Sequence, residues 1–385
     1  MSQWMVPYEQ LDDDQKDFVD QEIDKQGNIW VQGFAGSGKS VMLVHALIKK
    51  LKENPNIKAC VVVYTHSLID MFNKGISEID PNNQMGLSKV PVMTYHQFRK
   101  GNQHYDFIFC DEVQDLPEDV LTEMRNRCNH LHVAGDSNQS IYDHGISPDR
   151  IGTVTSARPF ILNRVYRLTR SIMAAVSKLL PNMDIFGSRR DMTKRDVQIR
   201  LSTAYDKEEE VKYVWEQGFE AASEGYSAAI LLPTHDDIFE FVNLLLQING
   251  KPEWELKENR WGKPDYENLN RHFGNNNIKM EYVGNSYGSF RNASQNKNLI
   301  IMTYHSAKGM DFDNVFLPFM SSSTYIRPEN QKTLFMVAMT RSKMNLYITY
   351  SDYLHPLVER FESTCQRISL DNNNNPELDE LDFGF

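Results

Sequence analysis

Cysteine is scarce in this 385-residue sequence. The four cysteines lie far apart, at Cys60, Cys110, Cys128 and Cys365. None belongs to a CxxC pair or has a histidine at the spacing of metal ligands, which argues against a disulfide framework and a zinc-binding motif. Cys60 and Cys110 lie in or beside apolar runs typical of strands. We therefore expect buried, reduced thiols.

A basic excess is also missing, because the formal net charge is -11 at pH 7. This excludes a protein coated in positive surface, and nucleic acid would have to bind in a local groove of basic and aromatic side chains. No apolar run reaches membrane-spanning length, and residues 1–15 lack the basic-then-apolar pattern of a targeting segment. We expect a cytoplasmic protein that makes no membrane contact.

Short β-branched runs alternate with longer amphipathic stretches, a pattern typical of parallel sheets covered by helices. The length suits two domains, each with its own apolar core. Strands are predicted at 29–33, 58–65, 90–94, 106–110, 130–134, 159–162, 228–232, 298–302, 314–317 and 345–350. Helices are predicted after Ser40 and at 168–180, 206–223, 235–248 and 329–341. The sequence therefore predicts an α/β fold.

A cluster of Gly, Ser and Pro at 146–158 marks the predicted domain boundary. We assign residues 1–157 to the first domain and residues 158–370 to the second. Residues 249–297 are rich in Asn, Gly, Lys and aromatic residues with little periodicity, and are predicted to be a small irregular insertion. Residues 371–385 form an acidic tail that cannot pack a core of its own and is expected to be disordered.

Residues 33–40 (GFAGSGKS) follow an apolar run and open an amphipathic one. Glycines at such a strand–loop–helix junction let backbone N–H groups curl around phosphate oxygens, and the helix N-terminus adds partial positive charge. Lys39 would reach the β- and γ-phosphates of ATP, and the Ser40 hydroxyl would bind Mg²⁺. The predicted phosphate-binding residues are Gly33, Ala35, Gly36, Ser37, Gly38, Lys39 and Ser40.

Two adjacent carboxylates follow the apolar run at 107–110, at the end of a predicted strand where ligands bind in open α/β sheets. Asp111 can join the Mg²⁺ shell, and Glu112 can orient and deprotonate an attacking water. A bare Asp-Glu pair is usually solvated surface. After a buried strand, in a chain that already carries a phosphate loop, the pair predicts catalysis of ATP hydrolysis.

Ordered motifs along nearly the whole chain resemble those of the superfamily 1A helicases of the UvrD/Rep/PcrA type. The matching segments are Leu11 with Gln15 (Q motif), 33–40 (motif I), 61–72 (Ia), 94–97 (the TFHS element), 111–115 (II), 135–142 (III), 163–167 (IV), 303–312 (V) and 337–341 (VI). The resemblance implies two tandem RecA-like domains with ATP bound in the cleft between them.

The resemblance also implies roles in ATP binding and hydrolysis. Arg167 and Arg341 would enter the cleft from the second domain as arginine fingers, and Gln139 would sense the γ-phosphate. Gln15 and Tyr166 would contact adenine. Asp311 takes the place of the family's ribose-contacting Glu and is one methylene shorter.

Contacts to single-stranded nucleic acid are implied at positions in both domains. They are Tyr64, Thr65, His96, Tyr142, His144, His305 and Lys308. Aromatic side chains stack on bases whatever the sequence, although each of these aromatics could equally be a core residue at a strand end. His144 stands where the family usually has Trp.

Size is the main departure from the family. The accessory domain that UvrD-like enzymes carry before motif II is reduced to residues 97–110, and the second accessory insertion is reduced to about 249–297. We therefore expect a translocase or a helicase that depends on a partner to unwind. The acidic, Phe-ended tail could dock on a protein partner or simply be a solubilising segment.

The leading interpretation is an ATP-dependent single-stranded DNA translocase or helicase, with 3′–5′ polarity taken from the family. An RNA helicase is an alternative, because stacking grooves do not by themselves reject the 2′-OH. A regulatory ATPase that switches a partner effector, such as a nuclease, is another. No nuclease constellation of carboxylates and lysine is found outside the ATPase motifs.

Overall fold

The computed structural model describes residues 5–34, 36–136, 140–141, 145–162, 164–165, 169–181, 189–190, 196–260, 262 and 264–370. Two parallel sheets, one of six strands and one of seven, form the framework. Helices flank both sheets. The predicted fold of two parallel-sheet α/β domains is confirmed. Within the described residues, no helix is long and apolar enough to cross a membrane.

The first domain contains the six-stranded sheet, with strand order β3-β2-β4-β5-β1-β6. Its strands are β1 (Asn28–Gln32), β2 (Ala59–Val63), β3 (Val92–Thr94), β4 (Tyr105–Cys110), β5 (Cys128–Gly135) and β6 (Ala157–Ile161). Its helices are α1 (Asp13–Asp20), α2 (Lys39–Glu53), α3 (His66–Ile79), α4 (Tyr95–Lys100), α5 (Glu118–Asn126) and α6 (Pro148–Thr155). In this order a single strand, β5, separates β4 from β1.

Strand β2 shows why these short apolar runs become strands. Every residue of its ACVVV sequence is buried. Val61 and Val63 belong to one apolar cluster, together with residues of α2 and α3, while Cys60 and Val62 belong to another on the opposite face. A parallel strand covered by helices on both faces reads as a continuous apolar run. Cys60 is a buried free thiol, as predicted.

The second domain contains the seven-stranded sheet, with strand order β11-β12-β10-β13-β14-β9-β15. A separate two-stranded pair, β7 (Arg164–Val165) with β8 (Arg189–Arg190), precedes it. The sheet strands are β9 (Gln198–Ala204), β10 (Ala228–Leu232), β11 (Met280–Tyr282), β12 (Leu299–Thr303), β13 (Phe312–Leu317), β14 (Ser342–Ser351) and β15 (Gln366–Ser369). The helices are α7 (Arg170–Leu179), α8 (Lys207–Ser223), α9 (His235–Ile248), α10 (Tyr266–Asn275), α11 (Phe290–Asn296), α12 (Gln331–Met339) and α13 (Pro356–Glu359).

The strand predicted at 159–162 belongs to the first sheet. Its residues form β6, which pairs in parallel with β1 from Asn28 opposite Ala157 to Gln32 opposite Ile161. The first sheet therefore extends past the boundary predicted between 157 and 158. The Gly, Ser and Pro cluster that suggested this boundary lies in and around α6, before the last strand of the first sheet.

The stretch at 249–297 is more regular than the sequence predicts. It contains α10, β11 and α11, and β11 pairs in parallel with β12 at the edge of the second sheet. The rings of Tyr266 and Tyr282 stack with centroids 4.7 Å apart, and His235 stacks on Tyr266 at 5.1 Å. Aromatic packing against the sheet, which periodicity does not reveal, orders this segment.

A buried carboxyl group joins two strand ends in the second domain. Glu210 of α8 is fully buried, and its Oε1 accepts hydrogen bonds from the Phe319 backbone N–H (2.5 Å) and the Thr349 hydroxyl (2.6 Å). Its Oε2 accepts from the Ser351 hydroxyl at 3.4 Å. Burial raises the pKa of Glu210 to about 7, although these donors act in the opposite direction.

Glu210 should therefore make folding depend on pH. Its folded pKa of about 7 lies above the ordinary value of 4.5, so its contribution to stability is complete below the unfolded pKa and is lost as pH rises through the folded pKa. Between about pH 5 and about pH 8, the melting temperature of the wild type should fall relative to that of Glu210→Gln. Glu216→Gln, at an exposed position on the same helix, is the control. Parallel melting curves for wild type and Glu210→Gln would contradict the expectation.

Candidate functional site at the domain interface

The phosphate loop connects β1 to α2. The Lys39 ammonium donates hydrogen bonds to the backbone carbonyls of Gly33 (2.7 Å) and Phe34 (3.1 Å), inside the loop. Gly36 and Gly38 have positive φ angles of 75° and 86°. The chain therefore curls back on itself before α2 begins. Ala35, which the sequence also assigned to the loop, lies outside the described residues.

Gln15 fastens α1 to this loop. It closes a capping box with Asp12, in which Gln15 N–H donates to Asp12 Oδ1 (2.7 Å) and Asp12 N–H donates to Gln15 Oε1 (3.2 Å). The other end of its amide, Nε2, donates to the Ser37 carbonyl at 3.3 Å. Gly38 has a positive φ, and a Cβ there would lie 2.5 Å from this nitrogen, so a larger residue would be strained and would displace the Gln15 amide. Gln15 is buried against the loop backbone, and its expected contact with adenine stays a prediction.

Ser40 and Asp111 meet at the carboxyl ends of β1 and β4. The Ser40 hydroxyl donates to Asp111 Oδ2 at 2.5 Å, and Asp111 is only 1% exposed. Burial and the adjacent charge of Glu112 raise the pKa of Asp111 to about 6, against the opposing effects of Ser40 and Lys39. The structure thus brings together the two residues that the sequence predicts as Mg²⁺ ligands.

Glu112 adopts an unusual backbone conformation directly after β4. Its φ of 53° and ψ of 44° lie in the left-handed region, which is uncommon for residues other than glycine and is often found at functional sites. Burial opposes ionisation of the carboxyl group. The positive charges of Lys308 and Lys39 outweigh this effect, together with a hydrogen bond from Gln114 and the charge of Arg341, and lower the pKa of Glu112. The carboxylate is therefore held in its charged form.

Gln114 is a member of the site that the sequence did not identify. Its Nε2 donates to Glu112 Oε2 at 2.5 Å, and its Oε1 accepts from the Asp136 backbone N–H at 3.1 Å. The side chain is fully buried. It therefore ties the predicted catalytic carboxylate to the start of motif III. A polar residue between Val113 and Asp115, in an otherwise buried segment, was the available signal.

Lys308 crosses from the second domain to the first. Its ammonium lies 2.5 Å from Asp115 Oδ2 and 3.9 Å from Glu112 Oε2, and the side chain is 3% exposed. The sequence assigned Lys308 to nucleic-acid contact. The structure places its side chain in the cleft, beside carboxylates and away from solvent, and the contact with nucleic acid stays a prediction. Asp115, which the sequence did not select, has its pKa raised to about 7 by burial, although Lys308 lowers it.

The backbone beside Lys308 approaches the first domain closely. Gly309 has φ of 81°, and a Cβ at this position would lie 2.5 Å from the side chain of Leu68 on α3. A second polar contact between the domains joins Asn330 Nδ2 to the Ile141 carbonyl at 2.5 Å. Motifs II, III and V therefore meet at one interface.

Arg341 follows α12 and is 1% exposed. Its guanidinium donates to the carbonyls of Val337 (2.8 Å) and Met310 (3.3 Å) and to the Thr340 hydroxyl (2.9 Å). The positive charge of Arg341 acts across the domain interface, because it helps to lower the pKa of Glu112. The side chain is thus held by its own domain, within electrostatic reach of the predicted base.

Asp311 is the remaining predicted ATP-site residue that the structure describes. Asp311 is half-buried and lies between Met310, which accepts from Arg341, and β13. The predicted residues that lie outside the described part of the chain are Gln139, Tyr166 and Arg167. Their roles stay predictions.

Aromatic rings gather where β2 and β3 end. The ring of Tyr64 stacks on that of Tyr95 with centroids 5.5 Å apart, and the exposed His96 lies over Tyr95 at 3.9 Å. Tyr95 was not selected from the sequence. The Thr65 hydroxyl accepts from the Leu68 N–H (3.3 Å) and so caps α3. Its predicted contact with nucleic acid therefore competes with a structural role.

His305 lies in the turn after β12, where its carbonyl accepts from the Lys308 N–H at 3.3 Å. The ring is half-buried. One turn therefore carries both His305, which is predicted to contact nucleic acid, and Lys308, which lies in the cleft. Tyr142 and His144, which were predicted to contact nucleic acid, lie outside the described residues.

The donor set at Ser40 and Asp111 suits a magnesium ion. A hydroxyl and a carboxylate oxygen are the ligand types that Mg²⁺ takes at phosphate loops, where substrate phosphates and water complete its shell. In the part of the chain that the structure describes, no three His, Cys, Asp or Glu side chains gather into a metal site.

Two helicase family models match separate parts of the chain. The UvrD-like helicase C-terminal domain matches residues 274–353, and the viral superfamily 1 RNA helicase core domain matches residues 29–207. No curated protein matches the chain.

Several solved helicase structures are similar to the chain at low sequence identity. The helicase of PRRSV is 12% identical over 84% of this chain and 52% of its own, with a TM-score of 0.42. The arterivirus nonstructural protein 10 helicase in complex with DNA is 13% identical over 87% of this chain and 63% of its own, with a TM-score of 0.44. The C-terminal domain of a possible DNA helicase from Lactobacillus plantarum WCFS1 is 16% identical over 52% of this chain and 98% of its own, with a TM-score of 0.36.

The chain thus spans between 52% and 63% of the length of these viral helicases. Residues 29–207 contain motifs I to IV, and residues 274–353 contain motifs V and VI. The chain thus resembles the superfamily 1 helicases in both matched regions, and the second region resembles the UvrD-like kind.

Proposed function

We propose that the protein is an ATP-dependent translocase or helicase on single-stranded DNA, moving 3′ to 5′. One observation carries the proposal. The Ser40–Asp111 pair and Glu112 of the first domain lie at an interface into which the second domain inserts Lys308. ATP hydrolysed at an interface between two domains can change their relative position, and this is how chemistry becomes movement.

The residues in and around the phosphate loop have separate tasks in this proposal. Lys39 binds the β- and γ-phosphates, exchanging its bonds to the loop carbonyls for bonds to phosphate oxygens. Ser40 and Asp111 would hold Mg²⁺, which would neutralise charge on those oxygens. Gln15, Tyr166 and the half-buried Asp311 would contact the nucleoside.

Glu112 serves as the base in the hydrolysis step. Its carboxylate accepts a proton from the attacking water, and its hydrogen bond from Gln114 fixes the orientation of the group. The γ-phosphorus–oxygen bond to ADP breaks as the water oxygen bonds to phosphorus. Charge that develops on the phosphoryl group is balanced by Lys39 and by Arg341 and Arg167 from the second domain.

The track for nucleic acid would run over the carboxyl ends of the strands. Tyr64 and the exposed His96 offer a stacked aromatic surface on the first domain. His305 would continue the track on the second domain, and Tyr142 and His144 would add to it on the first. Stacking of bases on such rings contributes about 1–3 kcal/mol per base and tolerates any sequence.

The short segments between the motifs support dependence on a partner for unwinding. Between the TFHS element and motif II, the chain forms only α4 and β4. The stretch at 249–297 adds an edge strand to the second sheet and no separate domain. The chain thus has little with which to split a duplex. The acidic tail at 371–385, outside the described residues, is our candidate for docking a protein partner.

Nucleic acid should stimulate ATP hydrolysis. We expect single-stranded DNA to raise the ATPase rate, and strand displacement to favour substrates with a 3′ overhang. The measurement compares phosphate release with and without matched DNA and RNA strands, followed by displacement assays with 3′ and 5′ overhangs. Stimulation by RNA alone would favour an RNA helicase. Stimulation only by a protein partner would support a regulatory ATPase and contradict the motor.

A further inference from the structure

The ion pair between Lys308 and Asp115 joins the two domains inside the cleft. Their charged atoms lie 2.5 Å apart, and their side chains are 3% and 1% exposed. Removing one partner of a buried ion pair leaves an uncompensated charge away from water, which is strongly unfavourable. The two domains therefore hold this pair together, and a shift between them must change its geometry.

Lys308 also lies within reach of the predicted base. Its ammonium is 3.9 Å from Glu112 Oε2, so one cation faces two carboxylates and lies closer to Asp115. Glu112 Oε2 also accepts the hydrogen bond from Gln114. A small displacement of Lys308 between Asp115 and Glu112 would change the charge around the base without touching the nucleotide loop.

Both partners of the ion pair lie next to residues proposed to bind nucleic acid. On the second domain, the Lys308 N–H donates to the His305 carbonyl in the same turn. On the first domain, burial, Tyr95 and Asp115 all raise the pKa of Tyr64, so the Tyr64 phenol lies within electrostatic reach of Asp115. A strand that contacts Tyr64 and His305 would thus bind beside both partners of the pair.

We propose that the Lys308–Asp115 ion pair is a positioning link that transmits the binding of single-stranded nucleic acid to Glu112. Nucleic acid held by both domains fixes the turn that carries Lys308 and sets its distance from Asp115 and Glu112. In this role Lys308 is a positioning residue, which acts through its ion pairs with Asp115 and Glu112. The inference rests on the proposed nucleic-acid-stimulated ATPase.

The test measures kcat and KM for ATP with and without oligo-dT in four variants. Lys308→Met and Asp115→Asn should each reduce the stimulation of kcat by oligo-dT about tenfold or more, while KM for ATP changes less than about threefold. Lys308→Arg, which keeps the charge, should recover part of the stimulation. The double variant should be no worse than the worse single variant, because both changes break one link.

Lys343→Met is the matched control. Lys343 forms an ion pair with Asp313 at 2.9 Å within the second domain and is 25% exposed, so its loss should leave the stimulation unchanged. Thermal melting identifies a variant that fails to fold, and Lys308→Arg then carries the test. A stimulated Lys308→Met enzyme, or additive losses in the double variant, would overturn the inference. A wild type without any stimulation would instead overturn the proposed function.

Discussion

Glu112→Gln should leave ATP binding intact and reduce ATP turnover by about 10²–10⁴-fold. The amide has nearly the shape of the carboxylate but cannot accept a proton from water. The residues that bind phosphate, Lys39 and the Ser40–Asp111 pair, are unchanged. Equilibrium binding of labelled ATP and the steady-state rate of phosphate release would measure the two properties separately.

Glu118→Gln is a suitable control for this substitution. Glu118 lies on α5, shortly after motif II, and pairs with Arg150 at the surface, so its change should affect neither property. Near-normal turnover by Glu112→Gln would mean that another group activates water. The carboxyl group of Asp115, with its pKa raised to about 7 by burial, would then be examined next.

Arg341→Lys should also bind ATP but hydrolyse it orders of magnitude more slowly. An arginine finger adds about 10³–10⁵ to the rate by balancing charge in the transition state, and the lysine ammonium lacks the planar fork that does this. Lysine keeps the charge in a buried position, whereas Arg341→Ala would also remove a donor from each of the carbonyls of Val337 and Met310. Single-turnover hydrolysis, together with melting temperature, measures the effect.

Arg200→Lys provides the comparison on the same sheet. Arg200 lies over the ring of Tyr347 and bonds to Asn345, so it tests the loss of a guanidinium far from the phosphate loop. We expect full hydrolysis in this variant. If Arg341→Lys retained the wild-type single-turnover rate, Arg341 would be a structural residue that holds Val337 and Met310, and the finger role would pass to Arg167.

The sequence predicts most of the fold because buried parallel strands carry their own signal. The ACVVV run of β2 is apolar on both faces and was predicted readily. Strand β9, with sequence QIRLSTA, mixes polar and apolar residues and exposed and buried positions, and was missed. Strand β6 was predicted, but the sequence cannot say which sheet a strand joins. Its pairing with β1 is a long-range contact.

The site was predicted wherever a motif specifies local geometry. Lys39, Ser40 and Asp111 follow strands at one sheet edge, so their proximity follows from topology. Contacts across the interface are not encoded in that way. The burial of Lys308 against Asp115 requires both domains to be in place, and nothing within the motif V segment distinguishes a cleft lysine from one that faces nucleic acid.

The double hydrogen bonding of Gln15 has a thermodynamic consequence. The same amide closes the first turn of α1 and holds the Ser37 carbonyl, so the order of that turn and the order of the loop are linked. Linkage is reciprocal. A nucleotide that stiffens the loop must also protect the start of α1 from fraying, and hydrogen exchange at the amides of that first turn would report occupancy of a site they do not touch.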